Sequence, residues 1–327
     1  MQSDYCMNRE QITQIAQQFQ KLSQQISTVI VGNQQVIEQM LIGLLCNGHV
    51  LLEGLPGVAK TTMIKTICQA IGLNFSRIQF TPDLLPSDLV GTLVFNPKTV
   101  DFETKKGPIF ANIILADEIN RAPAKVQSAL LEAMQEHQVT IGSTSFSLEE
   151  PFMVFATQNP IEQEGTYKLP EAQVDRFLFK LFIDYPTPAQ EVQIIQRSTH
   201  ENSITQMMSK EQLLAAQQAL HDVFVDTAII EYIVALVAAT RRPSNYGLTS
   251  LSKYLICGAS PRASLSLHRA AQGYALLHER DFVTPDDVKK IAHAVLRHRI
   301  VTNYQAAIDN VTNDEIISTI LTTISVP

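Results

Sequence analysis

Apolar residues recur in two rhythms along this chain, and the change between them divides it. From about Asn8 to Ser27, Ile12, Ile15, Phe19, Leu22 and Ile26 fall at helical spacing among many glutamines, which predicts an amphipathic helix packed on the outside of the succeeding elements. Val29-Ile30-Val31-Gly32-Asn33 reads as a short extended apolar turn, and Gln34–Cys46 as a second helix. Short apolar runs then alternate with helical stretches. Val50-Leu51-Leu52 is a buried strand, Lys60–Ile71 a helix, Phe75–Phe80 a strand, and Ala111–Asp117 the unbroken apolar strand expected inside a parallel sheet. Pro123, at a first helical turn, opens a helix whose Val126, Leu130 and Met134 share one face, and Phe152–Ala156 and Phe177–Ile183 supply two further strands. Alternation of this kind implies right-handed crossovers and a doubly wound α/β fold with a parallel sheet of about five strands.

Asp184-Tyr185-Pro186-Thr187-Pro188 ends the strand rhythm, and beyond it the signals are only helical. Thr284 is an N-cap before Pro285, Asp286 and Asp287, and Val288, Ile291, Ala292, Val295 and Leu296 form one stripe behind it. Asn313 opens a last helix carrying Ile316, Ile317, Ile320, Leu321 and Ile324. The expected organisation is an amphipathic helix over 1–28, an αβα nucleotide-binding core over 29–187 and an all-helical domain over 188–327.

Composition narrows the function classes. The 327 residues suit about two domains, and 45% apolar with 17% charged residues is ordinary for a chain burying a sizeable core. A net charge of −7 argues against a dedicated nucleic-acid binder, which needs a basic surface. Cys6, Cys46, Cys68 and Cys257 lie far apart without a CxxC pair, so buried reduced thiols are expected rather than zinc ligands or disulfides. With no signal-like start, and with the runs around Met40–Leu52 and Ile229–Ala239 broken or too short to span a bilayer, a soluble cytoplasmic protein is expected.

Two segments carry chemistry. Gly54-Leu55-Pro56-Gly57-Val58-Ala59-Lys60-Thr61-Thr62 follows a buried strand and opens a helix. Its glycines let backbone N–H groups turn toward phosphate oxygens, Lys60 offers a charge for the β/γ-phosphates, and Thr61 offers a hydroxyl for Mg²⁺. Ala59 stands where the strict pattern has glycine. Ile113-Ile114-Leu115-Ala116-Asp117-Glu118 delivers Asp117 toward the metal and Glu118 to where a base polarises water. Carboxylates in a solvated loop are the bland alternative, but these end an apolar strand, where open α/β sheets bind ligands.

Other positions stay balanced between two readings. Asn159, in Thr157-Gln158-Asn159-Pro160, could hold the attacking water, although Asn-Pro is also a common turn dipeptide. Arg176 could pair with Asp175 or Glu171 as an ordinary surface ion pair. Ser260-Pro261-Arg262 places a cation in a helix's first turn, against the macrodipole, which makes sense where it faces an anion. The histidines show no paired ligand spacing, so His49 and His268 read as structural.

The phosphate loop is similar to that of MoxR-type AAA+ ATPases, in which alanine before the lysine is usual. Leu115-Ala116-Asp117-Glu118-Ile119-Asn120-Arg121-Ala122, Gln127-Ser128-Ala129-Leu130-Leu131-Glu132-Ala133-Met134, Ala156-Thr157-Gln158-Asn159-Pro160, Leu169-Pro170-Glu171-Ala172-Gln173 with Asp175-Arg176-Phe177, and Gly258-Ala259-Ser260-Pro261-Arg262 resemble the same family, from about Val31 to the C-terminus. The resemblance implies an AAA+ αβα sandwich with a helical lid, and ATP and Mg²⁺ as cofactors. It implies that Gly54, Pro56, Gly57, Val58, Ala59, Lys60, Thr61 and Thr62 cradle the phosphates, with Thr61 and Asp117 at the metal. Glu118 then activates water, Asn159 is the first sensor, Arg176 the finger entering a neighbour's site and Arg262 the second sensor, coupling nucleotide state to rotation of the lid about a hinge near Asp184–Pro188. Ile30 and Val31, with Gly32, resemble the segment that packs on adenine. Two inserted hairpins are implied, near Gly91–Gly107 and Val139–Leu148.

Such ATPases form rings, usually hexamers, and commonly work with partners carrying von Willebrand factor A domains on a client protein, in maturation or metal insertion. Nucleic-acid binding and membrane insertion are not expected. The alternatives are a magnesium-chelatase-like motor subunit, a DNA-dependent AAA+ motor and a small-molecule kinase. The adjacent Asp117 and Glu118 count against the kinase, because a water-activating base promotes wasteful hydrolysis.

Overall fold

A computed structural model describes residues 9–160, 165–197 and 204–327. Helix α1 (Arg9–Val29) buries Ile12, Ala16, Phe19, Leu22 and Ile26, three or four positions apart. That stripe packs on α3 (Lys60–Ile71) and α10 (Pro261–Leu277). Each such side chain contributes up to about 1.5–3 kcal/mol by leaving water. Helix α2 (Gln34–Leu45) comes next, and α3 ends at Gly72, whose φ of 70° lets its N–H return to the carbonyls of Cys68 and Gln69.

The sheet is formed by β1 (Val50–Gly54), β2 (Phe75–Gln79), β5 (Ile113–Asp117), β8 (Met153–Gln158) and β9 (Phe179–Ile183), in the order β2-β5-β8-β1-β9. All pairings are parallel, with Gln79 beside Asp117 and Glu53 beside Gln158. The carboxyl ends of the strands therefore share one edge of the sheet, and Val50, Ile113, Met153 and Phe179 share the other. Along β1 the side chains alternate: Val50 and Leu52 join a core with α1–α3 and the C-terminal helices, while Leu51 joins Ile114, Ala116, Val154 and Leu130 on the opposite face. That second face is covered by α4 (Pro86–Val90) and α5 (Ala124–Glu136).

Both expected hairpins are present. Strands β3 (Gly91–Asn96) and β4 (Asp101–Lys106) pair antiparallel, as do β6 (Gln138–Ile141) and β7 (Thr144–Ser147). The hairpins touch, with Leu93 against the turn at Gly142, and Phe110, four residues past β4, lies edge-on to Phe146 of β7 at 6.3 Å. Helix α6 (Glu171–Val174) precedes β9.

Beyond β9 stand α7 (Pro188–Arg197), α8 (Lys210–Ala219), α9 (Thr227–Arg241), α10, α11 (Pro285–Leu296), α12 (Tyr304–Ile308) and α13 (Asn313–Thr323). Thr284 and Asp287 form the capping box that opens α11. This half is not purely helical. β10 (Leu255–Cys257) pairs antiparallel with β11 (Val301–Thr302), runs too short to show a strand period in sequence. The apolar core is continuous from α1–α3 through α8–α11 and α13, and α11 packs on β9.

The cysteine expectation holds in part. Cys46 and Cys68 are buried, and desolvation pushes both thiols up to about 12. Cys257 is exposed, because the short strand β10 lies at the surface, and Cys6 lies outside the described residues. Among the described residues no helix is long and apolar enough to cross a membrane, and no group of three or more His, Cys, Asp or Glu side chains is placed to hold a metal ion.

Candidate nucleotide site

Between β1 and α3 the chain makes a tight loop at the carboxyl edge of the sheet. Gly57 takes φ +84° in open space, and Ala59 takes φ 59° as the N-cap of α3. A left-handed alanine costs about 1–2 kcal/mol. It places α3's first turn with no side-chain cap, so these backbone N–H groups and the helix dipole can receive an anion. Gly54 is required for packing, since a Cβ there falls 2.6 Å from the carbonyl oxygen of Ile183. Lys60 Nζ donates to the Gly54 carbonyl at 2.7 Å, spanning the loop. Thr61 and Thr62 lie in the same first turn. The loop fits a triphosphate, and Mg²⁺ held chiefly by phosphate oxygens and water needs only the Thr61 hydroxyl and an acid nearby.

The acid comes from β5. Asp117 Oδ1 accepts from Thr157 Oγ1 at 2.6 Å, and Oδ2 accepts from Arg77 Nη2 at 2.6 Å and Nε at 3.1 Å. Glu118 leaves the strand in a left-handed conformation, φ 56°. Its N–H donates to Thr157 Oγ1 at 2.8 Å, while its carboxylate accepts from Gln79 Nε2 at 2.9 Å and pairs with Arg121 at 3.2 Å. A strained, multiply tethered carboxylate beside the sheet edge is suited to orienting water rather than to stabilising the fold.

Asn159 comes after β8 and lines a cleft of about 470 Å³ with Asn120, Gln158, Lys168 and Arg297. Ile30 is buried, Val31 half-buried, and Gly32 turns at φ 75° against Gln190 of α7.

Arg176 and Arg262 sit elsewhere. Arg176 lies between α6 and β9, just ahead of Leu178, whose N–H donates to the His49 carbonyl at the start of β1. It pairs with neither Asp175 nor Glu171; its Nη1 donates to the Leu131 carbonyl of α5 at 2.7 Å. Arg262, in the first turn of α10, faces a carboxylate: its Nη1 is 3.9 Å from Asp175 Oδ2. The two arginines line one cleft of about 260 Å³ with His49, Met134 and Leu265. That cleft opens at the amino edge of the sheet. The loop holding Lys60 is at the carboxyl edge, five residues of strand away, or roughly 16 Å.

Residues 49–179 match the model of the ATPase family associated with various cellular activities (AAA), and residues 249–320 match the AAA lid domain. The chain is 49% identical over 304 residues to Chaperone MoxR1 of Mycobacterium tuberculosis, covering 93% of this chain and 81% of that protein. The chain belongs to the MoxR family of AAA+ ATPases. The Bacillus subtilis protein YeaC is 45% identical over 310 residues, 94% of each chain. A candidate ATPase from Cytophaga hutchinsonii has the same fold, with a TM-score of 0.92 and 45% identity over 97% of each chain. The sheet, its covering helices and the C-terminal helices are thus the AAA+ αβα sandwich and lid, and this MoxR-family member is a nucleotide-binding, ATP-hydrolysing enzyme.

Sequence reasoning about the MoxR site missed the side chains that hold the acids and the arginine segment. Thr157 was legible as a neighbour of Asn159. Arg77 and Gln79 reach Asp117 and Glu118 only because β2 lies beside β5, an order the sequence does not print. Asp175 is paired not with Arg176 but with Arg299, from the far end of the chain.

Proposed function

We propose that this MoxR-family ATPase hydrolyses Mg-ATP at subunit interfaces of a ring, usually a hexamer in such proteins, to drive chaperone-like remodelling, maturation or metal insertion of a client protein. The observation that carries the interface is the separation of Lys60 from Arg176 and Arg262 across the sheet. Arginines at the amino edge do not reach phosphates at the carboxyl edge of their own sheet. They can serve a second copy docked head to tail, and such contacts close into rings when the rotation permits.

In this reading Gly54, Pro56, Gly57, Val58, Ala59 and the first turn of α3 cradle the triphosphate, Lys60 neutralises its charge, and Ile30 and Val31 face the adenine. Thr61 and Asp117 hold the magnesium, which supplies charge stabilisation at the transferring phosphoryl group. Glu118, held by Gln79 and Arg121, accepts a proton from the attacking water. Asn159 orients that water, and the neighbour's Arg176 and Arg262 neutralise charge developing on the γ-phosphate. An arginine in this role contributes about 10³–10⁵ in rate in related GTPases. The proposed units are 1–28, 29–187 and 188–327, in a cytoplasmic protein. A partner with a von Willebrand factor A domain is proposed to present the client, and the name of the relative Chaperone MoxR1 supports the chaperone role.

The test is complementation in mixed rings. Arg176→Ala keeps a complete pocket and offers no finger; Lys60→Ala offers a finger and lacks phosphate binding. Mixed under subunit exchange, they are expected to regain ATPase activity above the sum of the separate proteins. Proven exchange without any recovery would reject the interface site.

A further inference from the structure

One buried cation holds the segment that carries Arg176. The Arg299 side chain is 1% exposed. Its Nε donates to Asp175 Oδ1 at 2.9 Å, and Nη2 donates to the carbonyls of Phe177 at 2.7 Å and Asp175 at 3.2 Å and to Ser266 Oγ at 3.1 Å. Nη1 donates to the Leu178 carbonyl at 3.2 Å and to the Val295 carbonyl. The two preceding residues join in. His298 Nε2 donates to the Phe177 carbonyl at 3.0 Å, and Arg297 Nη1 to the Lys180 carbonyl at 3.3 Å. Burial holds His298 neutral and lowers Arg299 to about 10, which leaves it charged near neutrality.

A desolvated guanidinium is a poor way to gain stability, since an apolar residue of similar volume often does as well. Its bonding pattern gives another reason for it. Three of its four backbone acceptors, Asp175, Phe177 and Leu178, lie on the stretch between α6 and β9 that bears Arg176. That stretch's own turn bonds, from the N–H groups of Asp175, Arg176 and Phe177, all run back to α6, so none of them ties it to the C-terminal half. The planar fork of arginine can serve several carbonyls and a carboxylate at once; a lysine ammonium cannot. The second oxygen of the same carboxylate, Asp175 Oδ2, accepts from Ser260 Oγ at 2.8 Å and faces Arg262. One acid thus stands between the segment of Arg176 and the helix end that carries Arg262.

We propose that Arg299 is a positioning residue for hydrolysis: through Asp175 and the carbonyls of residues 175–178 it locks the Arg176 segment to the lid, so that Arg176 and Arg262 reach a neighbour's nucleotide as one rigid unit. This rests on the interface site proposed above. It makes the lid's position in one subunit a determinant of hydrolysis in the next, without any change in that next subunit's pocket.

The test uses the full chain, with Arg176→Ala as the pocket donor throughout. Three finger donors are compared: Lys60→Ala alone, Lys60→Ala with Arg299→Lys, and Lys60→Ala with Asp175→Asn. Lys60→Ala alone is expected to restore activity, and both double variants to restore about tenfold less or lower, the loss typical of charged hydrogen bonds. The single variants Arg299→Lys and Asp175→Asn are expected to bind fluorescent nucleotide in their own pockets within about twofold of the parent while turnover falls, a split that general unfolding would not produce. Double donors as effective as Lys60→Ala alone would overturn the positioning role and leave the interface site standing. Turnover that falls only in step with nucleotide affinity would also overturn it. If Arg299→Lys does not fold, the Asp175→Asn donor decides alone. Failure of the Lys60→Ala donor itself rejects the interface site, and the positioning role with it.

Discussion

The Thr157 hydroxyl donates to Asp117 Oδ1 at 2.6 Å and accepts from the Glu118 N–H at 2.8 Å, so one buried side chain of β8 fixes two acids at the end of β5. Thr157→Val keeps the shape, removes Asp117's donor and leaves the Glu118 N–H without its acceptor. A hydrogen bond to a charged group contributes about 1.5–3 kcal/mol, so turnover is expected to fall about 10- to 100-fold. Thr157→Ser, which keeps the hydroxyl, should recover most of it. Steady-state phosphate release decides this: equal rates for the valine and serine variants would show that the bridge does not matter.

Lys60 and Glu118 separate binding from chemistry. Lys60→Ala removes the cation spanning the loop and is expected to abolish nucleotide binding. Glu118→Gln keeps the side chain's size, loses only the proton acceptor, and should bind Mg-ATP nearly as well while hydrolysing it very slowly. Fluorescent-nucleotide titration checks both, and an equal loss of affinity in the two variants would contradict the assigned roles.

The parts of this architecture that depend on local physics were legible in sequence. Ile113–Asp117 announced a strand buried on both faces, and the stripe of Ile12, Phe19, Leu22 and Ile26 announced α1, because each period is carried by neighbouring residues. The phosphate loop was legible because cradling an anion demands particular residues at particular places. Relationships between distant segments were not. β10 and β11 are three and two residues long, below any readable period. Arg262 was expected to meet an anion, and it does, but the partner is the Asp175 carboxylate and the site lies at the sheet edge opposite Lys60. Arg299 gave no signal, since a lone arginine after a helix reads as solvated until β9 is packed against it.

Arg77 presents a competition. It is half-exposed, and its guanidinium lies 2.6 Å from the carboxylate assigned to the metal. An exposed ion pair of this kind contributes roughly 0–1 kcal/mol, so Arg77→Ala should change stability little. Freed of that partner, Asp117 should engage magnesium more readily. The Mg²⁺ concentration giving half-maximal ATPase activity is therefore expected to fall in Arg77→Ala. A magnesium titration at saturating ATP measures this, and a rise would show that Arg77 helps to orient Asp117 for the metal instead.

His49 is expected to make the fold acid-sensitive. The side chain is buried, and its Nε2 donates to the Met134 carbonyl at 3.0 Å while its Nδ1 accepts from the Val154 N–H at 3.0 Å, tying the start of β1 to α5 and β8. Protonation would place a second donor against the Val154 N–H and a charge in the core. Burial, opposed by the Met134 carbonyl and aided slightly by His137, lowers its pKa to about 4. In the unfolded chain the value is about 6.5, so between these two pH values the unfolded state binds more protons. The contribution is therefore complete above about pH 6.5 and is lost as pH falls toward 4. Going from pH 7 to pH 5, this one group should remove about 2 kcal/mol of stability. His298, buried and shifted in the same direction, adds to the slope. His49→Gln cannot titrate and should lose correspondingly less over that interval, whatever its stability at pH 7. Urea unfolding of both proteins at pH 7 and pH 5 gives the comparison, and identical pH slopes would show that His49 is not the group that senses acid.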